Sequence, residues 1–266
     1  MINLLKADFF RVLRTKIVYI SLIVAVGLPL FIAGTFALSG VGAYTPEEME
    51  MMKYTYGNML MTAPFSSLLS FSFVFAIFPV IVIIMDFGNG TIRDKIIHGY
   101  TRHQIYAAHF IITFAYVFLL TLLYTLTTTG CALLMFKVSD IDASMVASYA
   151  YYYIIGFVNT LISASLGTCL ALSLAGAGSI VLTVVGKLLL DNIYLLVALA
   201  FSTNGGNQNN EVAKHVLSFF PCYVTGLVGQ AIIEPSMFVE ALGGIFIISG
   251  ALYALGTFVF SIRDFK

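Results

Sequence analysis

Charge is what this sequence has least of. Only 10% of its 266 residues are Asp, Glu, Lys or Arg, against 60% apolar, and the mean hydropathy is +0.98. Soluble domains carry about 25% charged residues, so an ordinary soluble fold is excluded. Nor is either sign in excess: 13 basic residues balance 13 acidic ones, which removes the polybasic character that a nucleic-acid partner would need. Cysteine is scarce as well. Cys131, Cys169 and Cys222 lie in or beside apolar runs and read as small buried hydrophobes, with neither a disulfide framework nor zinc spacing. The phosphate-cradling pattern G-x-x-x-x-G-K-[ST] is missing, since Gly186-Lys187-Leu188 lacks both the preceding glycine loop and the hydroxyl. His98, His103, Glu234 and Glu240 have no H-E-x-x-H-type spacing, so no metal site is expected.

What the chain has instead is length without polarity. Several runs reach the roughly 20 residues that one helix needs to cross a bilayer. Outer-membrane barrel strands alternate apolar and polar residues, which these runs do not, so the expected class is an all-α integral membrane protein. The runs place spans at about 17–38, 67–85, 105–136, 148–174, 180–201 and 237–262. The first is too long for a signal-peptide core, even though Ala37-Leu38-Ser39 resembles a cleavage site, and is expected to be retained and bent near Gly27 and Pro29. Ahead of it, Ile2, Leu5, Phe9, Val12 and Leu13 fall on one face of a helix with Asn3, Lys6, Arg11 and Arg14 opposite, the pattern of an interfacial helix. Thr45-Pro46-Glu47-Glu48 reads as the start of a short surface helix.

Residues 148–201 are apolar for about twice one span and must turn back, and Ala175-Gly-Ala-Gly-Ser179 is the turn. Gly156, Ser163, Gly167 and Ala171 before it have the small-residue spacing that lets membrane helices approach closely. In the third span, Thr121, Thr125 and Thr128 share a side. Either their hydroxyls bond back to their own helix or they form a polar stripe along a pathway. Residues 216–233, interrupted by Pro221, Gly226 and Gly229, are either a seventh span or a re-entrant pair of half-helices.

Positive charge decides that count. With residue 1 inside and six spans, Lys6, Arg11, Arg14, Lys16, Arg93, Lys95, Arg102, Arg263 and Lys266 lie on the cytosolic side, nine against Lys53, Lys137 and Lys214 outside. A seventh crossing would move Arg263 and Lys266 across and weaken the bias, so 216–233 is expected to be re-entrant and both termini cytosolic.

The longest cytosolic polar interval between spans is Asp86 to Gln104. Thr91-Ile-Arg-Asp94 has a capping-box pattern, Gly99 a helix stop, and Thr101-Arg-His-Gln104 a second box; Gly88 and Gly90 free the chain to leave the second span sharply. A two-turn helix from Ile92 to His98 is expected, with Ile92, Ile96 and Tyr100 as an apolar edge and Arg93 and Lys95 polar. A second feature is Lys187 and Asp191, one turn apart inside the fifth span. Ionisable groups there cost about 2.5–3.5 kcal/mol each on insertion scales, so they face protein or water and usually each other. They are either a self-neutralised pair that positions the helix or a polar feature of a translocation path or gate.

Asp86, Gly88, Gly90-Thr91, Arg93, Lys95, Gly99 and Arg102, in that order, resemble the hallmark of the six-helix permease subunits of type-2 ATP-binding-cassette exporters. The amphipathic start, the broken segment around Phe219-Phe220-Pro221 and the basic Arg263-Asp264-Phe265-Lys266 end are similar too. The acid that is often glutamate in that family is Asp86 here. The resemblance implies a single permease domain over 1–266 in the plasma membrane, paired with a second permease copy as a homo- or heterodimer. Two ABC ATP-binding subunits would bind ATP and Mg, with no cofactor in this chain. It implies that Asp86, Gly90, Thr91, Arg93, Asp94, Lys95, Gly99 and Arg102, as a coupling helix, touch those subunits together with the N-terminal helix, and that the first and fifth spans line the substrate path. Export by alternating access is the expected function, of an antimicrobial or other amphipathic peptide, with lipid or drug as alternatives. An intramembrane protease or acyltransferase using His109, Asn159 or Asp191 is the rival class, and a non-transporting membrane anchor a third.

Overall fold

A computed structural model describes residues 2–39, 46–62, 72–136, 143–203, 211–226 and 234–263, and every regular element among them is helical. In lipid each backbone N–H and C=O must be satisfied within the chain, and a helix does this segment by segment. The elements are α1 (Ile2–Leu13), α2 (Lys16–Ser39), α3 (Pro46–Thr62), α4 (Ser72–Gly88), α5 (Thr91–Ile97), α6 (Arg102–Met135), α7 (Ala143–Leu174), α8 (Gly178–Thr203), α9 (Glu211–Ser218), α10 (Pro221–Gly226) and α11 (Pro235–Ile262).

Five of them, α2, α6, α7, α8 and α11, are long and apolar enough to cross a membrane. The pair α4 and α5, bent by 63° between them, brings the number to as many as six. The chain is therefore a multi-pass helical membrane protein. The start expected for the second span, residues 67–71, lies outside the described residues. The helix α2 runs through Pro29, and α3 is 17 residues long rather than short. It lays Leu60, Tyr56 and Met61 against Ala33 of α2, Cys131 and Ala132 of α6 and Phe136 just after it.

At the centre stands α7. In its apolar stretch 67% is buried, against 18% in α8 and 22% in α11, so the latter two present most of their surface outward. Small residues make this central position workable: a Cβ on Gly167 would stand 3.1 Å from Val80 Cγ2 of α4, while Ser163, Ala164 and Ala171 are fully buried. The turn out of α7 falls at Ala175–Ala177, with Ala175 itself left-handed (φ 51). Of the threonines in α6, Thr125 and Thr128 donate to the carbonyls of Thr121 and Tyr124 at 2.7 and 2.8 Å. All three threonines are buried against the bundle. Local satisfaction thus accounts for Thr125 and Thr128, whereas the buried Thr121 hydroxyl has no hydrogen-bond partner among the described residues.

Between α8 and the last helix the chain forms α9 and α10, eight and six residues long, each too short to cross a bilayer. The break between them seats in α11. A Cβ on Gly244 would meet the carbonyl oxygen of Phe219 at 1.8 Å, so only glycine admits the turn there. Residues 227–233, the rest of the expected re-entrant segment, lie outside the described residues.

Candidate functional site

One end of the bundle gathers α1, α5, the end of α4, the start of α6 and the ends of α7 and α11. There the chain leaves α4 at Gly88 and turns through Gly90, which is left-handed (φ 70), into α5. Gly90 is the N-cap, and no side chain caps the helix, so Thr91 is its first residue and not its cap. The expected first capping box is absent for a steric reason: the 63° turn needs a left-handed residue immediately before the helix, and glycine adopts that without strain. The far end matches the expectation. Gly99 (φ 87) ends α5, with the Gly99 amide donating to Ile96 O at 3.0 Å and the Tyr100 amide to Lys95 O at 3.2 Å, the paired bonds of a Schellman stop. The second capping box forms as expected, Thr101 Oγ1 accepting from the Gln104 amide at 3.3 Å and Gln104 Oε1 from the Thr101 amide at 3.2 Å.

Anchored this way, α5 has two sides. Ile92 is buried in a cluster with Leu4, Ile83, Ile105 and Tyr106, and Ile96 and Tyr100 pack beside it, so the apolar edge is the expected one. Arg93, Asp94, Ile97 and His98 are exposed. Lys95 is not. It turns inward, 7% exposed, and donates from Nζ to Asp8 Oδ2 at 2.7 Å. Burial pushes its ammonium down from the ordinary range, and the Asp8 carboxylate opposes that.

Asp8 belongs to α1 and is 3% exposed. The buried edge of α1 is Leu4, Asp8 and Val12, one turn apart each time, while Ile2, Phe9 and Leu13 of the expected apolar face point outward, as does Phe10, over which Arg14 stacks at 4.1 Å. The amphipathic helix is real, but a charged residue sits in the middle of its protein-facing side. Arg11 joins the same network, donating to Asp8 Oδ1 at 3.1 Å and forming an ion pair with Asp86 at the end of α4. His109 of α6 completes it, with Nε2 3.2 Å from Lys95 Nζ and 3.9 Å from Asp86 Oδ2. An ammonium has donors only, so His109 Nε2 is the acceptor and the ring proton is on Nδ1. Two acids and two bases drawn from α1, α4 and α5 thus neutralise one another around a neutral histidine of α6. Beside them is a cavity of about 10 Å³ bordered by Asp8, Arg11, Asp86, His109, Thr113 and Tyr116, room for about one water.

Two arginines tie the neighbouring helix ends. Arg102 donates to the carbonyls of Ser261 and, at 2.8 Å, Arg263. Arg263 in turn donates to Leu172 O and Ser173 O at 2.8 and 2.9 Å, with its head 4.9 Å over Phe87. Each satisfies carbonyls that a helix C-terminus leaves without an internal partner.

Lys187 and Asp191 form the expected ion pair, Lys187 fully buried and Asp191 nearly so. Asp191 Oδ1 also accepts from Cys222 Sγ at 3.1 Å, which ties α8 to α10. The residues of the rival enzyme reading are kept apart: His109 lies with Lys95 and Asp86, Asp191 with Lys187 and Cys222, and Asn159 is buried in α7 with no hydrogen-bond partner for its Oδ1 among the described residues. Among the described residues no group of three or more His, Cys, Asp or Glu is placed to hold a metal ion.

Of the expected coupling residues, Asp86 and Lys95 are brought together around Asp8, Arg11 and His109. Arg93 and Asp94 face outward, and Arg102 serves the helix ends. Asp8 is the residue that sequence reasoning passes over, and its signal was modest: it is the one acid among Lys6, Arg11 and Arg14 in the first helix.

No curated protein matches the chain significantly. Residues 4–190, from α1 through the Lys187 turn of α8, match the family described as ABC-2 family transporter protein. Because that match covers well over half of the 266 residues, this chain belongs to the ABC-2 transporter family, as one of its membrane domains.

Proposed function

We propose that this chain is the permease half of an ATP-driven exporter, docked through α5 onto a separate ABC ATP-binding subunit. The observation that carries the reading is the two-sidedness of α5: Arg93, Asp94, Ile97 and His98 are left exposed on a helix whose opposite side is fixed by Ile92 and Lys95. A well-capped loop needs no such anchoring, whereas an element that takes a push from a partner does. ABC-2 permeases normally work with an ABC ATPase subunit in a bilayer, and the chain carries no phosphate loop of its own.

In the working assembly two permease copies, identical or not, pair with two ATP-binding subunits that hold ATP and Mg. Both termini and α5 lie in the cytosol by the charge bias of nine to three across the loops. Alternating access moves the substrate, and the preferred class is an amphipathic peptide such as an antimicrobial peptide. The outward-facing surfaces of α2 and α8 suit a path between two copies. Lys187 and Asp191 then lie behind the wall of that path, where, with Cys222, they hold α10 against α8.

Co-purification tests the reading. The chain expressed in its native membrane should carry an ATP-hydrolysing subunit through affinity isolation, and Arg93→Glu with Asp94→Lys should release that subunit while the permease still accumulates. A permease isolated alone that cleaves a peptide or lipid bond would replace this reading with the enzyme one.

A further inference from the structure

The helices α1 and α5 flank a groove of about 270 Å³ lined by side chains from both, among them Asn3, Ala7, Thr91, Asp94 and His98. At its floor the Asp8 carboxylate holds Lys95 Nζ at 2.7 Å. On either side of α5 the chain has a left-handed glycine, Gly90 before it and Gly99 after it. A short helix hung between two glycine joints transmits little through its own backbone, because those residues adopt a wide range of φ at low cost. Side chains must carry what the joints do not.

We propose that Asp8 is a positioning residue for energy coupling: by holding Lys95 it makes α1 and α5 one mechanical body and passes displacement of α5 on to α4 and α6. Three observations give the route. Lys95 is 7% and Asp8 3% exposed, so the pair is shielded from solvent and salt. From Asp8 the connection continues along α1 to Arg11, which pairs with Asp86 at the end of α4. From Lys95 it branches to His109 in α6. The ion pair therefore spans the two joints and enters the bundle at two helices. This rests on the proposed docking of an ATP-binding subunit to α5, and it adds the side-chain link by which the first helix shares the push.

The test uses the permease isolated with its ATP-binding subunit. The three native cysteines are buried, so a cysteine introduced at Tyr54, which is 41% exposed on α3 at the other end of the bundle, takes up maleimide selectively. Trapping with ATP and orthovanadate is expected to change its labelling rate. Asp8→Asn leaves the Lys95 ammonium buried without its carboxylate and so lowers permease yield, but the complex that is isolated should have lost about 5-fold or more of that labelling response per bound ATP-binding subunit, the loss of an ordinary coupling free energy. Asp8→Glu keeps the buried charge, and so the fold, but lengthens the strut, and it should give a reduced response. A purely structural role for Asp8 would instead leave the response of the isolated complex unchanged however low the yield, which overturns the inference. A full response in Asp8→Glu also overturns it. Absence of any ATP-binding subunit from the unsubstituted permease would fault the proposed function itself, a result told apart from the others before any variant is made.

Discussion

The two ends of this bundle handle charge in opposite ways. At the α5 end, Asp8, Asp86, Lys95 and His109 are all buried, and among the described residues every ion pair there links different helices or closes within α1. At the α9 end the pairs are exposed: Lys214 reaches Glu234 at 3.5 Å with both side chains about half open to solvent, and His215 meets Glu240 at 2.7 Å. A buried charge without its partner is strongly unfavourable, whereas an exposed pair contributes little. The difference teaches where geometry is enforced. The α5 end has one arrangement available to it, and the α9 end is held by shape, through the Phe219 backbone lying over Gly244.

The comparison is broken most directly at Lys95. Lys95→Met leaves Asp8 and Arg11 to share a buried site with Asp86, and should cost about 3–5 kcal/mol in denaturation measured in detergent. Next comes the other end. Gly244→Val forces the Phe219 turn off α11 and should cost about 1–3 kcal/mol by overpacking, in the same measurement. An unchanged midpoint for Gly244→Val would mean that the α9 end is not held by shape after all.

A finer test separates the two threonines at the borders of α5 and α6. Thr101→Ala removes a formed capping box and should cost about 1 kcal/mol. Thr91→Ala removes no cap and should lie within about 0.5 kcal/mol of the parent. Smallest of all is Lys214→Ala, expected within about 0.5 kcal/mol and falling further with salt. A larger, salt-independent loss there would show the two ends to be alike.

The spans were legible because an apolar run of bilayer length has few other fates, and the observed α6, α8 and α11 begin and end within three residues of the expected bounds. The Gly99 stop and the Thr101 box were legible because both are set by residues three or four apart. What escaped was long-range. Asp8 and Lys95 lie 87 residues apart, and no local pattern marks a carboxylate that will be buried by a partner so distant. Amphipathic reading assigns every charge to the wet side and so placed Lys95 and Arg11 outward. His109 did have a signal, an ionisable group within an apolar span, which is by default a functional position. Thr91 failed as a cap for the opposite reason: its pattern was correct, but the sharp exit from α4 had already committed Gly90 to the cap position.

The arginine clamps restrict how this protein can change shape. Arg102 holds the end of α11, and Arg263 holds the end of α7, by hydrogen bonds to backbone carbonyls. Sliding any of these three helices by one turn, about 5.4 Å, would break those bonds outright. Tilting them about the clamped end would not. The bundle therefore has a pivot built into the α5 end, and its free travel lies at the other.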